Sequence, residues 1–314
     1  MLYLLFSTGL WAIVETMRSK VRVFLTLLGL ALLAGCIEFK SQTLTYTHDT
    51  TTDTLRIFQE YHGIFGGDNP KELTSAEAEQ LDSVLNSQRT FFFGNWISEI
   101  SHNQLRDRLD KLASPEMQKE NENELDPPAR EHLEQLITLL LENSHMQNGT
   151  FFMDKEGKLA AVQHVTISNV SKLISVGNMV IRDAYKTEAR NSKTQAEERK
   201  LYEKSSESQQ DYIKLEGNRL TVRLPLTRTH YEEHMSHAAD ELDEFKKNGG
   251  STVFTNDEVV ITIGRPTDKL TRLTMSVSDK PFTTNLLNVV KGRSLLKPKF
   301  EPEGEAQRFL SSRQ

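Results

Sequence analysis

Apolar and polar residues alternate along the first part of the chain. Leu44, Tyr46 and His48 alternate with threonines over Thr43–His48. Leu55, Ile57, Gln59 and Tyr61 alternate with Arg56, Phe58 and Glu60 over Thr54–Phe65. A period of two is that of strands with one face inward, so the two runs predict a hairpin around Asp49-Thr50-Thr51-Thr52-Asp53. Gly66-Gly67-Asp68-Asn69-Pro70 ends the second strand. Thr74-Ser75-Ala76-Glu77 then has the S/T-x-x-E form of a capping box and predicts a helix from Ser75. Its apolar face continues through Phe91, Phe92, Trp96, Ile97, Ile100, Leu105, Leu109 and Leu112, which extends the expected helix to Ala113 with an interruption near Gly94.

Pro115 to Pro128 is polar and reads as an exposed loop, and Leu133, Leu136, Ile137 and Leu140 mark a second helix. Thr150–Asp154 and Lys158–Ile167 flank Lys155-Glu156-Gly157 as a hairpin, and Leu173, Ile174, Gly177, Val180, Ile181, Ala184 and Tyr185 recur at helical spacing. From Lys186 to Gln210 charge rises and the apolar face fades, which predicts a solvated helix or a hinge. Two further hairpins follow, Asp211–Leu215 with Arg219–Leu224 and Thr252–Thr255 with Val259–Ile263, on either side of a polar helix from His230 to Lys247. A strand at Leu270–Ser278, a short helix near Leu286–Val290 and a polar tail, expected to be disordered from Pro298, complete the chain. Hairpins and helices in mixed order, without regular βαβ alternation, give an α+β class of antiparallel hairpins packed with amphipathic helices. The expected organisation is an α+β region over 36–185, the charged segment 186–210, a second α+β region over 211–297 and the tail 298–314.

Composition narrows the function classes. The 314 residues carry 38 Lys+Arg against 44 Asp+Glu, a net charge of −6, and a single cysteine. One cysteine forms no internal disulfide and no thiolate zinc cage. The acidic balance, without a basic stripe interleaved with aromatics, points away from nucleic acid. No cofactor motif is present.

The N-terminus carries the most specific signal. The apolar run Val23–Ala34 follows Arg18, Lys20 and Arg22 and ends in small residues before Cys36, which is the order of a secretory signal. Leu33-Ala34-Gly35-Cys36 resembles the lipobox of bacterial lipoproteins. The resemblance spans Met17 to Cys36. It implies that the Cys36 sulfur takes a diacylglyceryl group, that residues 1–35 are removed as a signal peptide, and that Cys36 becomes the mature N-terminus. It also implies a cell-envelope location, in the outer membrane or on the periplasmic face of the inner membrane. By the sorting rule of enterobacterial lipoproteins, Ile37 in place of Asp points to the outer membrane. The first sixteen residues lack leading positive charge, so the expected start is Met17. Loss of residues 1–35 removes three cations and one anion, and the charge moves from −6 to −8. The strand pair at Thr43–Phe65 is similar to that of uncharacterised bacterial lipoproteins, from which no activity carries over.

Candidate chemistry is sparse. His230-Tyr231-Glu232-Glu233-His234 resembles the H-x-x-E-H motif of insulinase-type zinc peptidases. The resemblance implies His230 and His234 as ligands on one helix face and Glu233 as general base, with His237 nearby. The third ligand would be Glu301, Glu303 or Glu305, all in the expected disordered tail, and a His- and Glu-rich exposed helix produces the same pattern without metal. Gly63-Ile64-Phe65-Gly66-Gly67 lacks the Lys-Ser/Thr of a phosphate loop and reads as a turn. Asp240, Asp243 and Glu244 lack a calcium loop around them. Phe91, Phe92 and Trp96 line either a core or a pocket for an apolar ligand, and Phe93 is out of phase with them. Asn148-Gly149-Thr150 matches a glycosylation acceptor in form only. The reading that results is a lipid-anchored envelope protein that binds or supports a partner, with membrane contact through its anchor and an envelope protein as the expected partner. The zinc peptidase is the alternative, and a carrier of an apolar ligand is a third reading.

Overall fold

The computed structural model describes residues 37–66, 74–90, 100–114, 126–190, 196–225, 228, 250–255, 257–276 and 285–312. Its class is α+β, with seven helices and two antiparallel sheets among these residues. Strands β1 (Ser41–Asp49) and β2 (Thr54–His62) form the predicted hairpin. Helices α1 (Ser75–Asn86), α2 (His102–Ala113) and α3 (Pro127–Asn143) follow, then β3 (Ser144–Met153), β4 (Leu159–Ile167), α4 (Val170–Arg190) and α5 (Ala196–Glu207). Strands β5 (Ile213–Glu216), β6 (Arg219–Leu224), β7 (Gly250–Phe254), β8 (Val259–Ile263) and β9 (Thr271–Ser276) precede α6 (Asn285–Gly292) and α7 (Pro302–Ser311).

The larger sheet has the order β3-β4-β2-β1-β9, so the first two strands of the fold are its centre. Leu44, Tyr46, Leu55, Ile57, Val165, Ile167 and Leu273 on one face join α3 and α4 in a core that also takes in the inner face of the smaller sheet, β5-β6-β8-β7. Further along the same face, Tyr61, Phe151, Leu159 and Ala161 pack with Leu81 and Val84 of α1 and Leu286 and Val290 of α6. The opposite face is covered as well: Phe58, Phe152, Ala160 and Val162 lie under Leu310 of α7.

Five expectations are corrected here. The alternation in β2 predicts one wet face, yet Arg56, Phe58 and Glu60 are buried together with Leu55 and Ile57. The tail predicted to be disordered from Pro298 contains α7, whose Pro302 occupies the first turn, where a missing N–H costs nothing, and whose Leu310 is buried. The segment 186–210, predicted to be solvated or a hinge, extends α4 to Arg190 and supplies α5, with Ala189 and Tyr202 in the main core and Leu201 buried as well. The proposed division after residue 210 is crossed by β9, which pairs antiparallel with β1 from Ser41↔Ser276 to Tyr46↔Thr271. The expected single helix to Ala113 is two helices, α1 and α2, joined at the Arg89↔Ser101 bridge.

The capping box forms as predicted, with Thr74 Oγ1 accepting from Glu77 N and Glu77 Oε2 accepting from Thr74 N. The Asn148 Nδ2 donates to Val84 O and Leu85 O and thereby caps α1, while Gln88 Oε1 accepts from Met146 N along the edge of β3. Asn148 is thus a structural amide. Next to it Gly149 sits in a bulge of β3, where a Cβ would lie 2.7 Å from Val162 O.

The two sheets meet at Asn218, in the turn between β5 and β6. The Asn218 carbonyl accepts from the Tyr46 hydroxyl at 2.9 Å and from Thr271 Oγ1 at 3.1 Å. Its side chain accepts from His48 N and donates to Asp268 O, both at 2.6 Å. Burial pushes the Tyr46 phenol well above its ordinary value, which keeps it a donor. Asn218→Ala leaves His48 N–H and Asp268 C=O unpaired, and the expected loss in urea denaturation is about 2 kcal/mol or more. A variant as stable as the wild type would contradict this role. Gly149→Ala, which drives a methyl group into the Val162 carbonyl, is expected to lose about 1–3 kcal/mol in the same assay, and an unchanged midpoint would refute the close approach.

Candidate functional site

The site that the fold builds around the N-terminus begins one residue after Cys36, which itself lies outside the described residues. Ile37 is 2% exposed and Phe39 is 3% exposed. Both belong to the cluster of Tyr61, Leu81, Leu286 and Val290, and the Phe39 ring stands edge-on to Tyr61 at 5.1 Å. Ile37 N donates to Gln80 Oε1 at 2.9 Å, and Glu38 exchanges two backbone hydrogen bonds with Phe65. Lys40 N donates to His62 O, so this strip continues directly into β1. The chain is therefore held by side-chain burial and backbone pairing from its first described residue. Gly63, at φ +64°, kinks the chain without reversing it: Glu38↔Phe65 keeps the register of Ser41↔His62, Ile64 N donates to Leu159 O, and the turn expected at 63–67 is, over 63–66, a continuation of the β1–β2 pairing.

The outer face of the large sheet carries a second constellation. The His164 imidazole lies parallel to Phe309 at 4.3 Å between centroids, near Phe58 on its other flank, with Glu305 Oε1 3.7 Å from Nε2. Burial holds its pKa below the usual histidine value, with Glu305 opposing that shift. Burial likewise lowers His62 and His102 and raises Glu60, whose carboxylate faces Arg272 at 3.3 Å. Of the candidate third ligands, Glu301 occupies the N-cap position of α7 without a side-chain cap bond, and Glu303 and Glu305 lie in its first turn, where Glu305 pairs with Arg308.

A third surface is an open groove of about 420 Å³ at the smaller sheet, lined in part by Leu201, Tyr212, Arg223 and Asp257. The charges there pair with one another: Arg223 bonds Glu258 at 2.7 Å, and Lys204 bonds Asp257. Tyr185 stacks on Tyr202 at 5.5 Å and lies tilted against Tyr212 at 5.2 Å, with burial pushing the Tyr202 and Tyr212 phenols up to about 12. This end of the molecule is the far one from Ile37. Residues Ser41 and Asp49 bound the nine residues of β1, and a strand rises ~3.3 Å per residue, so the hairpin separates the two ends by ~26 Å.

Elements of catalytic geometry are incomplete among the described residues. His132 Nδ1 bonds Asp183 Oδ2 at 2.6 Å, yet no hydroxyl or thiol bonds the other ring nitrogen. His102 Nε2 meets Ser144 Oγ at 2.9 Å, but both are buried at the junction of α2 and α3, and the serine hydroxyl lies 2.5 Å from the Leu140 carbonyl. No three His, Cys, Asp or Glu side chains converge as a metal site among these residues, and no described helix is long and apolar enough to cross a membrane. His230, Glu233, His234 and His237, the acidic residues 240, 243 and 244, and Phe91, Phe92, Phe93 and Trp96 all lie outside the described residues. Sequence reading missed the His164–Phe309 stack, the tyrosine cluster and Asn218, because their partners are brought together only by strand pairing and helix packing.

The histidines give a pH prediction. A histidine with a lowered folded-state pKa is held neutral in the fold, so the unfolded chain binds its proton more readily. The stability it supports is present above the ordinary pKa of 6.5 and is lost as pH falls through it. Glu60 acts in the opposite sense at lower pH, because its raised pKa makes the fold bind the proton first. Thermal unfolding between about pH 7.5 and 5.5 is therefore expected to show a larger loss of stability in the wild type than in His164→Phe, which keeps the stack without the titration. Equal pH dependence in the two would contradict the assignment.

The chain matches no protein-family model, no curated protein and no solved structure, so its functional reading rests on its own residues.

Proposed function

We propose that this is a lipid-anchored cell-envelope protein, carried in the membrane by a diacylglyceryl group on Cys36, whose α+β domain acts as a binding or structural module. The observation that carries the reading is the burial of Ile37 directly after the lipobox cysteine. A tether is a chain of residues that add up to ~3.5 Å each, and here there is no such chain between Cys36 and the folded core. A domain attached in this way stands against the membrane and presents its far end, with the groove by Tyr212 and Arg223, to the surrounding compartment. That groove is open, and its ion pairs are already formed, which suits an extended protein surface better than a small charged substrate. An envelope protein is the proposed partner. The acyl chains supply the membrane affinity, at ~0.8 kcal/mol per buried methylene, because the net acidic chain gains nothing from anionic lipid as a whole.

Expression of the full chain in a bacterial host, followed by intact-mass analysis and detergent-phase partitioning, tests the anchor. The wild type is expected to begin at Cys36 with acyl mass on that residue and to enter the detergent phase, whereas Cys36→Ala is expected to keep the signal segment before residue 36 and to lack the lipid mass. A wild-type protein with an unmodified Cys36 would overturn the proposal.

A further inference from the structure

We propose that the segment Lys291–Lys299 docks on anionic phospholipid headgroups and seats the anchored domain on its membrane; this rests on the lipid-anchor reading. The sequence from Asn285 to Phe300, NLLNVVKGRSLLKPKF, holds Lys291, Arg293, Lys297 and Lys299 and no acidic residue, in a chain whose net charge is −6. All four cations are exposed. The first half of the segment is α6, whose Leu286 and Val290 are buried against Ile37 and Phe39, with Leu295 and Leu296 packed on the same cluster.

The rest follows the end of the sheet nearest the anchor. Lys297 N donates to Phe151 O at 2.8 Å, and Phe151 belongs to the row Phe151↔Ala161, Ala161↔Tyr61 and Tyr61↔Gln42 beside the start of β1. The cations therefore lie at the end of the fold from which Cys36 departs.

Their pairing leaves charge over. Arg293 bonds Asp82, and the Lys297 ammonium stands 5.5 Å over the Phe300 ring. Lys291, Lys297 and Lys299 have no carboxylate within salt-bridge reach among the described residues. Of the acids near this end, Glu156 in the turn before β4 is bonded to Lys158, Asp154 of the same turn accepts from the Glu156 and Lys158 backbone, and Glu301 and Glu303 begin α7 beyond Phe300. An acidic domain on an anionic membrane is repelled in most orientations, and a basic end at the anchor selects one. A dissolved polyanion would meet the same cations, but only the membrane is brought to them by the residue next to Cys36.

The test uses the mature lipidated protein in vesicles of phosphatidylcholine, alone or with about 30 mol% phosphatidylglycerol. Hydrogen exchange is followed at residues 291–300, with intact mass recorded first. Exchange there is expected to slow several-fold in the phosphatidylglycerol vesicles. It should recover at about 0.5 M NaCl and in K291E/K297E/K299E, while the distal turn at 255–258 stays unchanged. The salt recovery of the wild type keeps the test valid if the triple variant is unstable. Equal exchange in the two kinds of vesicle would overturn the proposal, and so would slowing by a dissolved RNA fragment without slowing by vesicles. An unlipidated Cys36, seen in the mass before any exchange is read, would remove the anchor reading and this inference with it.

Discussion

The burial of β2 on both faces is the constraint around which the molecule is arranged. A strand with one dry face needs one layer of cover, but β2 places Leu55, Ile57 and Tyr61 on one side and Phe58 on the other, all at 1% exposure or less. Its neighbours β1 and β4 satisfy its backbone groups, and five helices cover its side chains. Helices α3 and α4 cover the half near the hairpin tip, α1 and α6 cover the half near Ile37, and α7 lies over the reverse side. The last helix of the chain is thus placed by the need of its second strand. Burial of this kind stabilises by roughly 25 cal/mol per Å² of apolar surface, and it accounts for a tail of polar composition holding a fixed position through Phe300, Phe309 and Leu310.

The same arrangement couples the N-terminus to the fold. Since β1 is central, the few residues before it cannot hang free; Ile37, Phe39 and the Glu38–Phe65 pairing fill the space between α1 and α6. What lies at that end is then fixed relative to Ile37: the extension of β2 over 63–66, the turn before β4 and the basic segment after α6. What lies at the other end is the hairpin tip, held to the smaller sheet through Asn218, and the groove beyond it. In this account the anchor sets position and the charge distribution sets orientation.

Local pattern made much of this legible. The hairpin at Thr43–Phe65, the capping box at Thr74–Glu77, the turns at 155–157 and 217–218 and the short helix at 286–290 follow from periodicity and turn chemistry over a few residues. What escaped is non-local. Arg56 and Glu60 look like a solvent face because nothing in the neighbouring sequence announces α7 or Arg272. The strand at 271–276 gives no hint that its partner is β1, more than two hundred residues earlier. Asn218 reads as an ordinary turn residue, since its four hydrogen-bonding partners come from two other stretches of chain, 46–48 and 268–271. The burial of Ile37 and Phe39 was not readable either, because their partners on α1 and α6 lie far along the chain.

Neutron reflectometry of the mature lipidated protein on a supported bilayer measures most directly how the domain is attached. The account predicts a protein layer in contact with the headgroups, with no hydrated spacer between them. A water-rich gap of tens of ångströms, the reach of roughly ten or more residues of unfolded chain, would contradict it.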